Sequence, residues 1–249
     1  MANLVIDIGN THTKVAVFNE YKLVSVDHYE ALTPQDLLTY LNNKNDITYS
    51  ILSSVSSSSL ADLEEILSEQ TIYIRFSTNL ATSINNQYKS PQTLGLDRLA
   101  GMVGAQTLYP GKNCLVIDAG TCITYDVVNH EGIYNGGSIS LGIHMRLKAL
   151  HVFTDKLPLI DFDDSFMFME GSDTRASILS GVIQGAVLEM QGFITNHISH
   201  DTSLQVILCG GDAAFFDTRL KNTIFADTLR TEPNLVLIGL NDIIRQQND

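Results

Sequence analysis

Two short segments of the chain carry the residue types that bind phosphate groups and a metal ion. The first is LVIDIGNTHTKVAVF, from Leu4 to Phe18, which reads as an apolar strand, a polar turn and a second strand. Around the turn lie a carboxylate (Asp7), a glycine, hydroxyl and amide side chains, and the amino group of Lys14. Because the run LVID shows no alternation of polar and apolar residues, we expect a strand buried on both faces that ends at Asp7.

The second segment, LVIDAGTCITYDVV from Leu115 to Val128, nearly repeats the first. At an offset of 111 positions, seven residues of the first segment meet the same residue type in the second. The repetition predicts two related halves that face a shared site. The seam is expected at PGKN, residues 110–113, which divides the chain into domains 1–111 and 112–249.

The chemistry that these groups suit is phosphoryl transfer. In that reaction a protein positions the phosphates, screens their charge and orients a nucleophile, while a carboxylate holds Mg²⁺, often through water. The candidate groups are Asp7, Gly9, Asn10, Thr11 and Lys14 in the first segment, Asp118, Gly120, Thr121 and Thr124 in the second, and the turn Gly210-Gly211 for a base and ribose.

A third motif, Gly95-Leu96-Asp97-Arg98, opens a predicted helix. Asp97 then lies near the helix N-terminus, where the helix dipole stabilises a carboxylate. The motif has two interpretations that the spacing leaves open: a helix-start aspartate, or a base that accepts the proton of a substrate hydroxyl. Arg98 favours a functional role, because the dipole disfavours a cation at that position.

The overall composition argues against some partners. With 28 acidic and 15 basic residues, the 249-residue chain has a net charge of −13, which disfavours nucleic acid or an anionic membrane surface as the main partner. Its three cysteines, Cys114, Cys122 and Cys209, lack CxxC spacing, so we expect reduced thiols with packing roles. No signal-peptide pattern and no apolar run of roughly 20 residues is found, so we expect a cytoplasmic protein with no membrane span.

The rest of the pattern predicts the alternating strands and helices of an α/β protein. The first half reads βββαβαβ, with one helix starting at Thr33-Pro34 and another after the serine cluster 56–59, where Ser59 and Asp62 resemble a capping box. Other expected elements are strands at 22–29, 50–55 and 73–76, a loop at 79–94, a glycine-rich stretch Gly136–Gly142 entering a helix Ile143–Phe153, an irregular region 154–169, a long helix from Asp173 to about Ser199 capped by Ser172, and strands Leu204–Leu208 and Leu235–Ile238 before a last helix.

The long helix carries small residues at four-residue spacing, Ser177, Gly181 and Gly185, with Gly192 further on. Each glycine costs a helix about 1 kcal/mol relative to alanine. The pattern therefore indicates the close approach of a neighbouring helix, either within the chain or from a second copy, and we favour a homodimer.

The sequence lacks the common motifs for nucleotide binding and for metal binding. Residues 104–112 depart from P-loop spacing, and no GxGxxG follows a strand, so ATP would require another fold. His197 and His200 are spaced i, i+3, but no third metal ligand accompanies them.

Together these motifs resemble those of type III pantothenate kinases, which belong to the actin-like superfamily of acetate and sugar kinases, Hsp70 and actin. The resemblance runs nearly end to end and rests on DIGNTHTK (7–14), GLDR (95–98), DAGTCIT (118–124), GGSISLG (136–142) and CGGDA (209–213). It implies an α/β fold of duplicated actin-like (ribonuclease H-like) domains, each a mixed sheet flanked by helices. The active site would lie in the cleft between them, and the second domain would carry the dimerisation helix.

The resemblance also implies roles for single residues. Asp97 would be the catalytic base, and pantothenate would contact Tyr88, Gly95, Leu96, Asp97, Arg98 and Thr174. ATP would contact Asp7, Ile8, Gly9, Asn10, Thr11, His12, Thr13, Lys14 and Thr121. Asp7 would hold Mg²⁺ through phosphate or water, and Asp118 would bind K⁺ or NH₄⁺.

The implied reaction transfers the γ-phosphate of ATP to pantothenate, the first step of coenzyme A biosynthesis. Leu141 stands where the family usually has proline and Cys122 where alanine is common, and neither change removes a chemical group. Two alternatives stay open: a non-catalytic nucleotide-binding regulator resembling a transcriptional accessory factor, and a different kinase or phosphatase on the same fold.

Overall fold

The computed structural model describes residues 2–44, 46–54, 60–221 and 223–248. Two compact units make up the chain. The first comprises residues 1–111, 128–135 and 234–249, and the second comprises residues 112–127 and 136–233.

In chain order the elements are β1 (Ala2–Ile8), β2 (Thr13–Asn19), β3 (Lys22–Tyr29), α1 (Pro34–Asn42), β4 (Ile47–Ser54), α2 (Ala61–Gln70), β5 (Ile72–Arg75), β6 (Asn85–Asn86), α3 (Leu96–Leu108), β7 (Cys114–Ala119), β8 (Cys122–Val128), β9 (Ile133–Leu141), α4 (Ile143–Val152), α5 (Thr174–His200), β10 (Gln205–Cys209), α6 (Ala213–Leu220), β11 (Leu229–Thr231) and α7 (Leu235–Gln246).

The first unit is built on a five-stranded mixed sheet with the order β3-β2-β1-β4-β5. The central strand β1 pairs antiparallel with β2 and parallel with β4. One face of β1, including Leu4 and Ile6, packs into a core with Leu37 and Leu67 of helices α1 and α2. The opposite face carries Asn3, Val5 and Asp7, and α7 packs over it, while α3 contacts the neighbouring strand β4 and packs against α7. Strand β1 is thus buried on both faces, as its apolar run predicts.

A buried amide pair ties helix α7 to this second face. The Asn3 side-chain amide donates to the Asn241 side-chain oxygen at 2.8 Å, and the Asn241 amide donates to the Glu20 carbonyl at 2.8 Å. Both asparagines are almost fully buried, so their polar atoms need such partners. The pair fixes α7 against β1, the strand that carries Asp7.

The second unit is built on the strands β11-β10-β7-β8-β9, continued by the two-residue β6. Strand β6 pairs with the first residues of β9, and these paired residues belong to the first unit. Strand β10 pairs parallel with both β7 and β11. Helix α5 packs into the core beside this sheet through Leu179, Ile183 and Met190, which contact the cluster that includes Leu115 and Ile117.

Most of the predicted element order is confirmed. Strand β3 and helix α1 have the expected bounds, and α1 begins with the capping box of Thr33 and Asp36. The two mixed sheets, each flanked by helices, confirm the predicted α/β fold class. Val55 and the serine cluster, with the proposed Ser59 cap, fall outside the residues that the structure describes.

Two local predictions are wrong. Residues Leu235–Ile238 form the first turn of α7, because a short apolar run such as LVLI does not by itself distinguish a strand from a buried helix. The cap of α5 is Asp173, whose side chain accepts a hydrogen bond from the Ala176 amide at 2.8 Å, and not Ser172.

Helix α5 bears on the expectation that the chain has no membrane span. Its 27 residues include a window of mean hydropathy 1.3, which is long and apolar enough for a span by composition alone. Half of that window is buried within the chain, as in the core helix of a globular protein.

The close packing of α3 against α7 predicts which glycine the first unit requires. A methyl group at Gly239 would overlap the carbonyl oxygen of Ala100, which is backbone and has no room to move. We expect Gly239→Ala to lower the free energy of unfolding by about 1–3 kcal/mol, the usual cost of overpacking, or by more. Urea denaturation measures the change.

Gly192→Ala in α5 is the matched control. An added methyl there meets no atom within 4 Å, so the higher helix propensity of alanine should leave stability unchanged or raise it by up to about 1 kcal/mol. Equal stability of the two variants would contradict this account of the α3–α7 contact.

Candidate active site

The first unit presents the hairpin between β1 and β2. Asp7 pairs with Lys14 across the two strands, and the Gly9 amide closes the turn by donating to the His12 carbonyl at 3.1 Å. Of the other residues predicted to bind ATP, Asn10, Thr11 and His12 are exposed, Ile8 is half-buried, and Thr13 is buried. The turn therefore offers exposed hydroxyl, amide and imidazole groups between a carboxylate and a cation.

Strand β4 adds a residue that sequence reasoning missed. Ser53 pairs with Asp7 in the parallel register of β1 and β4, so their side chains leave the same face of the sheet. The Ser53 hydroxyl is buried, and among the described residues it is the buried side-chain polar atom without a hydrogen-bond partner. Carboxylate and hydroxyl oxygens are ligand types that Mg²⁺ accepts, directly or through water, so the groups around Asp7 fit that ion.

The N-terminus of α3 gathers the GLDR motif and Tyr88. Asp97 Oδ1 accepts a hydrogen bond from the Arg98 amide at 2.8 Å, and a methyl at Gly95 would overlap that carboxylate oxygen. Arg98 is 9% exposed, and its guanidinium carbon lies 5.6 Å from the centroid of the Tyr88 ring. Tyr88 in turn stacks on Tyr134, with centroids 6.2 Å apart and planes 8° apart.

This arrangement explains why a cation is tolerated at a helix N-terminus. The Tyr88 ring face attracts the Arg98 guanidinium, which compensates for the unfavourable dipole. Four of the residues predicted to contact substrate, Tyr88, Gly95, Asp97 and Arg98, are therefore close together. Leu96 begins the helix between them.

The second unit presents the turn between β7 and β8. Two glycine segments pack against it at backbone distance. The Gly142 amide donates to the Thr121 carbonyl at 3.0 Å, and the Asp212 amide donates to the Ala119 carbonyl at 2.8 Å. Gly210 has a φ of +92°, and a methyl there would overlap both the Ala119 carbonyl oxygen and Asp118 Oδ1. The structure thus brings together three motifs that are far apart in sequence.

Thr174 lies apart from that turn, in the wall of a cavity of about 1000 Å³ between α4 and α5. The cavity is mostly apolar, and Arg146 supplies a charged side chain to its wall. Asp118 and Thr121 do not line it, so the second unit holds its predicted residues in two places.

A polar network that the sequence did not predict fixes Arg146. Its guanidinium donates to Glu189 at 2.6 Å and to the Leu141 carbonyl at 2.7 Å. The same carboxylate accepts hydrogen bonds from Ser140 and Tyr125, each at 3.0 Å. Burial, reinforced by the charge of Glu189, raises the pKa of Tyr125 well above its usual value, so this hydroxyl stays a donor.

The turn after β10 has its own titratable group. Burial raises the pKa of Asp212, and the nearby His144 partly opposes the shift. The His144 ring meets Phe162 edge to face at 5.4 Å, and Phe162 meets Phe215 in the same way at 5.1 Å. Gly211, by contrast, is exposed, with open space where a methyl would lie.

The described residues contain no cluster of three or more metal-ligating side chains. No disulfide joins any two of the three cysteines. Cys114 and Cys209 are buried, and burial raises the pKa of Cys114 to about 12. The Cys122 sulfur lies 3.9 Å from the Met145 sulfur.

Comparison with known proteins decides the family. The profile of type III pantothenate kinases matches residues 3–196. A type III pantothenate kinase of Phocaeicola vulgatus is 43% identical over 242 residues, 97% of each chain, and one of Bacteroides fragilis is 42% identical over 246 residues, 99% of this chain and 98% of that one. This chain belongs to the type III pantothenate kinase family.

Solved structures support the fold of this type III pantothenate kinase family member. A Campylobacter jejuni structure described as a Baf family transcriptional activator has a TM-score of 0.61 at 20% identity and covers 98% of each chain. A hexokinase of the ROK family from Thermus thermophilus has a TM-score of 0.54 at 12% identity over the full length of both chains. At these identities the likeness concerns the fold alone, which is that of actin-like kinases.

The two departures from the family pattern lie at the edges of the second unit's motifs. Leu141 ends β9, is 43% exposed and lines the cavity, while its carbonyl binds Arg146. Cys122 is half-buried at the start of β8. Neither position supplies a polar side chain to the predicted site.

The Gly210-Gly211 pair offers a direct test of the turn that supports Asp118. Gly210→Ala should be destabilising, because the left-handed backbone costs about 1–2 kcal/mol for a residue with a side chain and overpacking adds about 1–3 kcal/mol. Gly211→Ala places its methyl in open space and should leave stability nearly unchanged. Thermal and urea unfolding of both variants measure the difference, and similar losses would refute the close-approach role of Gly210.

Proposed function

We propose that this protein is an ATP-dependent pantothenate kinase. It transfers the γ-phosphate of ATP to the 4′-hydroxyl of pantothenate, giving ADP and 4′-phosphopantothenate, the first step toward coenzyme A. The observation that carries the proposal is the arrangement at α3, where a fixed Asp97 carboxylate lies next to the Arg98–Tyr88 pair. Membership of the type III pantothenate kinase family supports it over the whole chain.

ATP phosphates are proposed to lie on the hairpin Asp7–Lys14 and on Thr121. Lys14 neutralises phosphate charge, and the exposed turn residues donate hydrogen bonds to the phosphate oxygens. Asp7 would hold Mg²⁺ through water or phosphate, and the bound ion would further screen the charge of the phosphates. That both units act on one ATP molecule stays a prediction.

Asp97 is proposed to accept the proton of the pantothenate hydroxyl as that oxygen attacks the γ-phosphorus. Its hydrogen bond to the Arg98 amide holds the carboxylate in one orientation. Arg98 presents a cation that complements the carboxylate of pantothenate, and Tyr88, Gly95, Leu96 and Thr174 complete the proposed substrate contacts.

A monovalent cation, K⁺ or NH₄⁺, is proposed at Asp118. The Asp118 carboxylate and the Ala119 carbonyl both lie against Gly210, so two oxygen atoms are close together there. Oxygen donors of this kind are the ligands that hard cations take.

The protein is proposed to act as a homodimer through α5. Gly181 and Gly185, at four-residue spacing, face open space in the single chain, and no described residue lies where a methyl group at either position would be. Large apolar side chains are exposed on the same unit, including Phe153 at 85% and Phe168 at 71%. Exposed large apolar side chains in this number favour an interaction surface on this unit.

The division into domains 1–111 and 112–249 stays our proposal for the two duplicated halves. The regulator alternative is not favoured. The Campylobacter jejuni structure shares only the fold with this chain, and the net charge of −13 disfavours a nucleic-acid partner.

The reaction is tested by an ATP-dependent assay of pantothenate phosphorylation with the purified protein. We expect 4′-phosphopantothenate to form with Mg²⁺ present, and the rate to rise when K⁺ or NH₄⁺ is added. A panel of other small alcohols serves as the control for substrate choice. No turnover of pantothenate by folded protein with either cation would refute the proposal.

Asp97→Asn separates the two interpretations of this residue. The side-chain oxygen of asparagine can still accept the hydrogen bond from the Arg98 amide, but removing a general base typically costs about 10²–10⁴-fold in turnover. We expect that loss with nucleotide binding retained. The matched control is Asp36→Asn, which changes a helix-start carboxylate of α1 and should affect stability without slowing turnover. An active Asp97→Asn enzyme would exclude Asp97 as the base.

The dimer is tested by light scattering coupled to gel filtration. Leu188, on α5, is 52% exposed, and Leu188→Glu should convert a dimer to a monomer because a carboxylate would be buried in the interface. Ile224→Glu is the control, since Ile224 is 87% exposed and lies outside α5. A monomeric wild-type protein would contradict the proposal.

A further inference from the structure

A row of three polar side chains crosses the sheet of the first unit. Ser53 on β4 pairs with Asp7 on β1, and Asp7 pairs with Lys14 on β2. Directly paired residues of neighbouring strands point to the same face. A hydroxyl, a carboxylate and an amino group therefore lie side by side, and we call them the polar row.

The polar row stands out from the rest of its face. Two residues away from the polar row on each strand, the same face carries Val5, Ala16 and Ile51, which pair with one another and are all fully buried. The row thus lies where the apolar part of the face ends, at the end of β1 that leads into the phosphate-binding turn. Ser53 and Asp7 are each the next-to-last residue of their strand.

The Ser53 hydroxyl is unusual for a buried group. Nearly all buried side-chain polar atoms have a hydrogen-bond partner, yet this oxygen has none among the residues that the structure describes. Ser50 on the same strand is equally buried, and its hydroxyl is bonded to that of Thr71 at 2.6 Å. The contrast within one strand indicates that Ser53 is kept polar for a different reason.

The neighbours of Ser53 in the sheet leave one polar candidate. Strand β5 pairs with β4 only as far as Leu52 and Arg75, and the next residue of the chain is the buried Phe76. On the other side the neighbour is Asp7. A carboxylate accepts about four hydrogen bonds, so Asp7 has acceptor capacity for this hydroxyl besides its other contacts.

We propose that Ser53 is a positioning residue for Asp7, an inference that rests on the proposed kinase function. When Asp7 holds the Mg²⁺ that accompanies ATP, the Ser53 hydroxyl donates to the carboxylate oxygen turned away from the ion. The hydrogen bond holds the carboxylate in one orientation, as outer hydrogen bonds do for metal-binding carboxylates in general.

The test compares nucleotide binding with and without the divalent ion. Calorimetric titration with ADP is carried out in excess Mg²⁺ and again in EDTA, on the wild type, Ser53→Ala and Ser53→Thr. We expect Ser53→Ala to bind ADP about tenfold more weakly in Mg²⁺, the size of one hydrogen bond to a charged group, and equally well in EDTA. Ser53→Thr retains a hydroxyl and should recover most of the affinity.

Stability and kinetics provide the independent readouts. Removing an unpaired buried hydroxyl should leave the melting temperature of the ligand-free protein unchanged or raise it. The matched control, Ser50→Ala, loses the bond to Thr71 and should melt at a lower temperature while binding Mg²⁺-ADP normally. In the kinase assay, Ser53→Ala should raise KM for ATP and leave KM for pantothenate unchanged.

Several outcomes would overturn the proposal. These are unchanged Mg²⁺-ADP affinity in Ser53→Ala, an equal loss in Mg²⁺ and in EDTA, or a loss of melting temperature like that of Ser50→Ala. If Ser53→Ala does not fold, Ser53→Cys, which keeps the size but is a poor donor, faces the same criteria. A wild-type protein that binds Mg²⁺-ADP but does not phosphorylate pantothenate would refute the proposed function and leave this inference standing.

Discussion

Strand β1 must be covered on both faces, and the organisation of the first unit follows from that constraint. Its even-numbered residues pack into a core with α1 and α2, and α7 packs over its odd-numbered residues. The partly buried Asp7 lies near the end of the strand, because an ionised carboxylate is costly to bury without partners. Helix α3 packs in turn against α7 and contacts β4, so the helix that opens with the GLDR motif depends on the same packing.

The second unit is organised by the close approach of backbone segments. Gly142 and Gly210 each pack where a side chain would overlap a carbonyl of the β7–β8 turn. The glycine-rich stretch Gly136–Gly142 and the turn Gly210-Gly211, which are far apart in the sequence, thus share one structural partner. One of them lies in a strand, which shows that a glycine-rich pattern alone does not distinguish a loop from a strand that needs close contact.

Elements whose signals are local were predictable from sequence. Helix α1 carries its own cap and proline, and β1 and β7 are apolar runs that end in Asp-x-Gly. Features that depend on tertiary context could not be predicted from the sequence. The run from Leu235 fits a strand or a helix, and only its packing against α3 decides. Ser53 belongs to a serine-rich stretch without periodicity, so its importance follows only from the register that pairs it with Asp7.

The helix-start and general-base interpretations of Asp97 both depend on the hydrogen bond that its carboxylate accepts from the Arg98 amide. A carboxylate near a helix N-terminus stabilises the helix through nearby amides, and Asp97 does so through the amide of its own neighbour, Arg98. A general base needs its carboxylate held in one orientation relative to the substrate. The bond that stabilises the start of α3 provides that orientation, and Gly95 leaves the space that the carboxylate occupies. The helix-start role is therefore the structural condition for the proposed catalytic role, and sequence spacing alone could not have separated them.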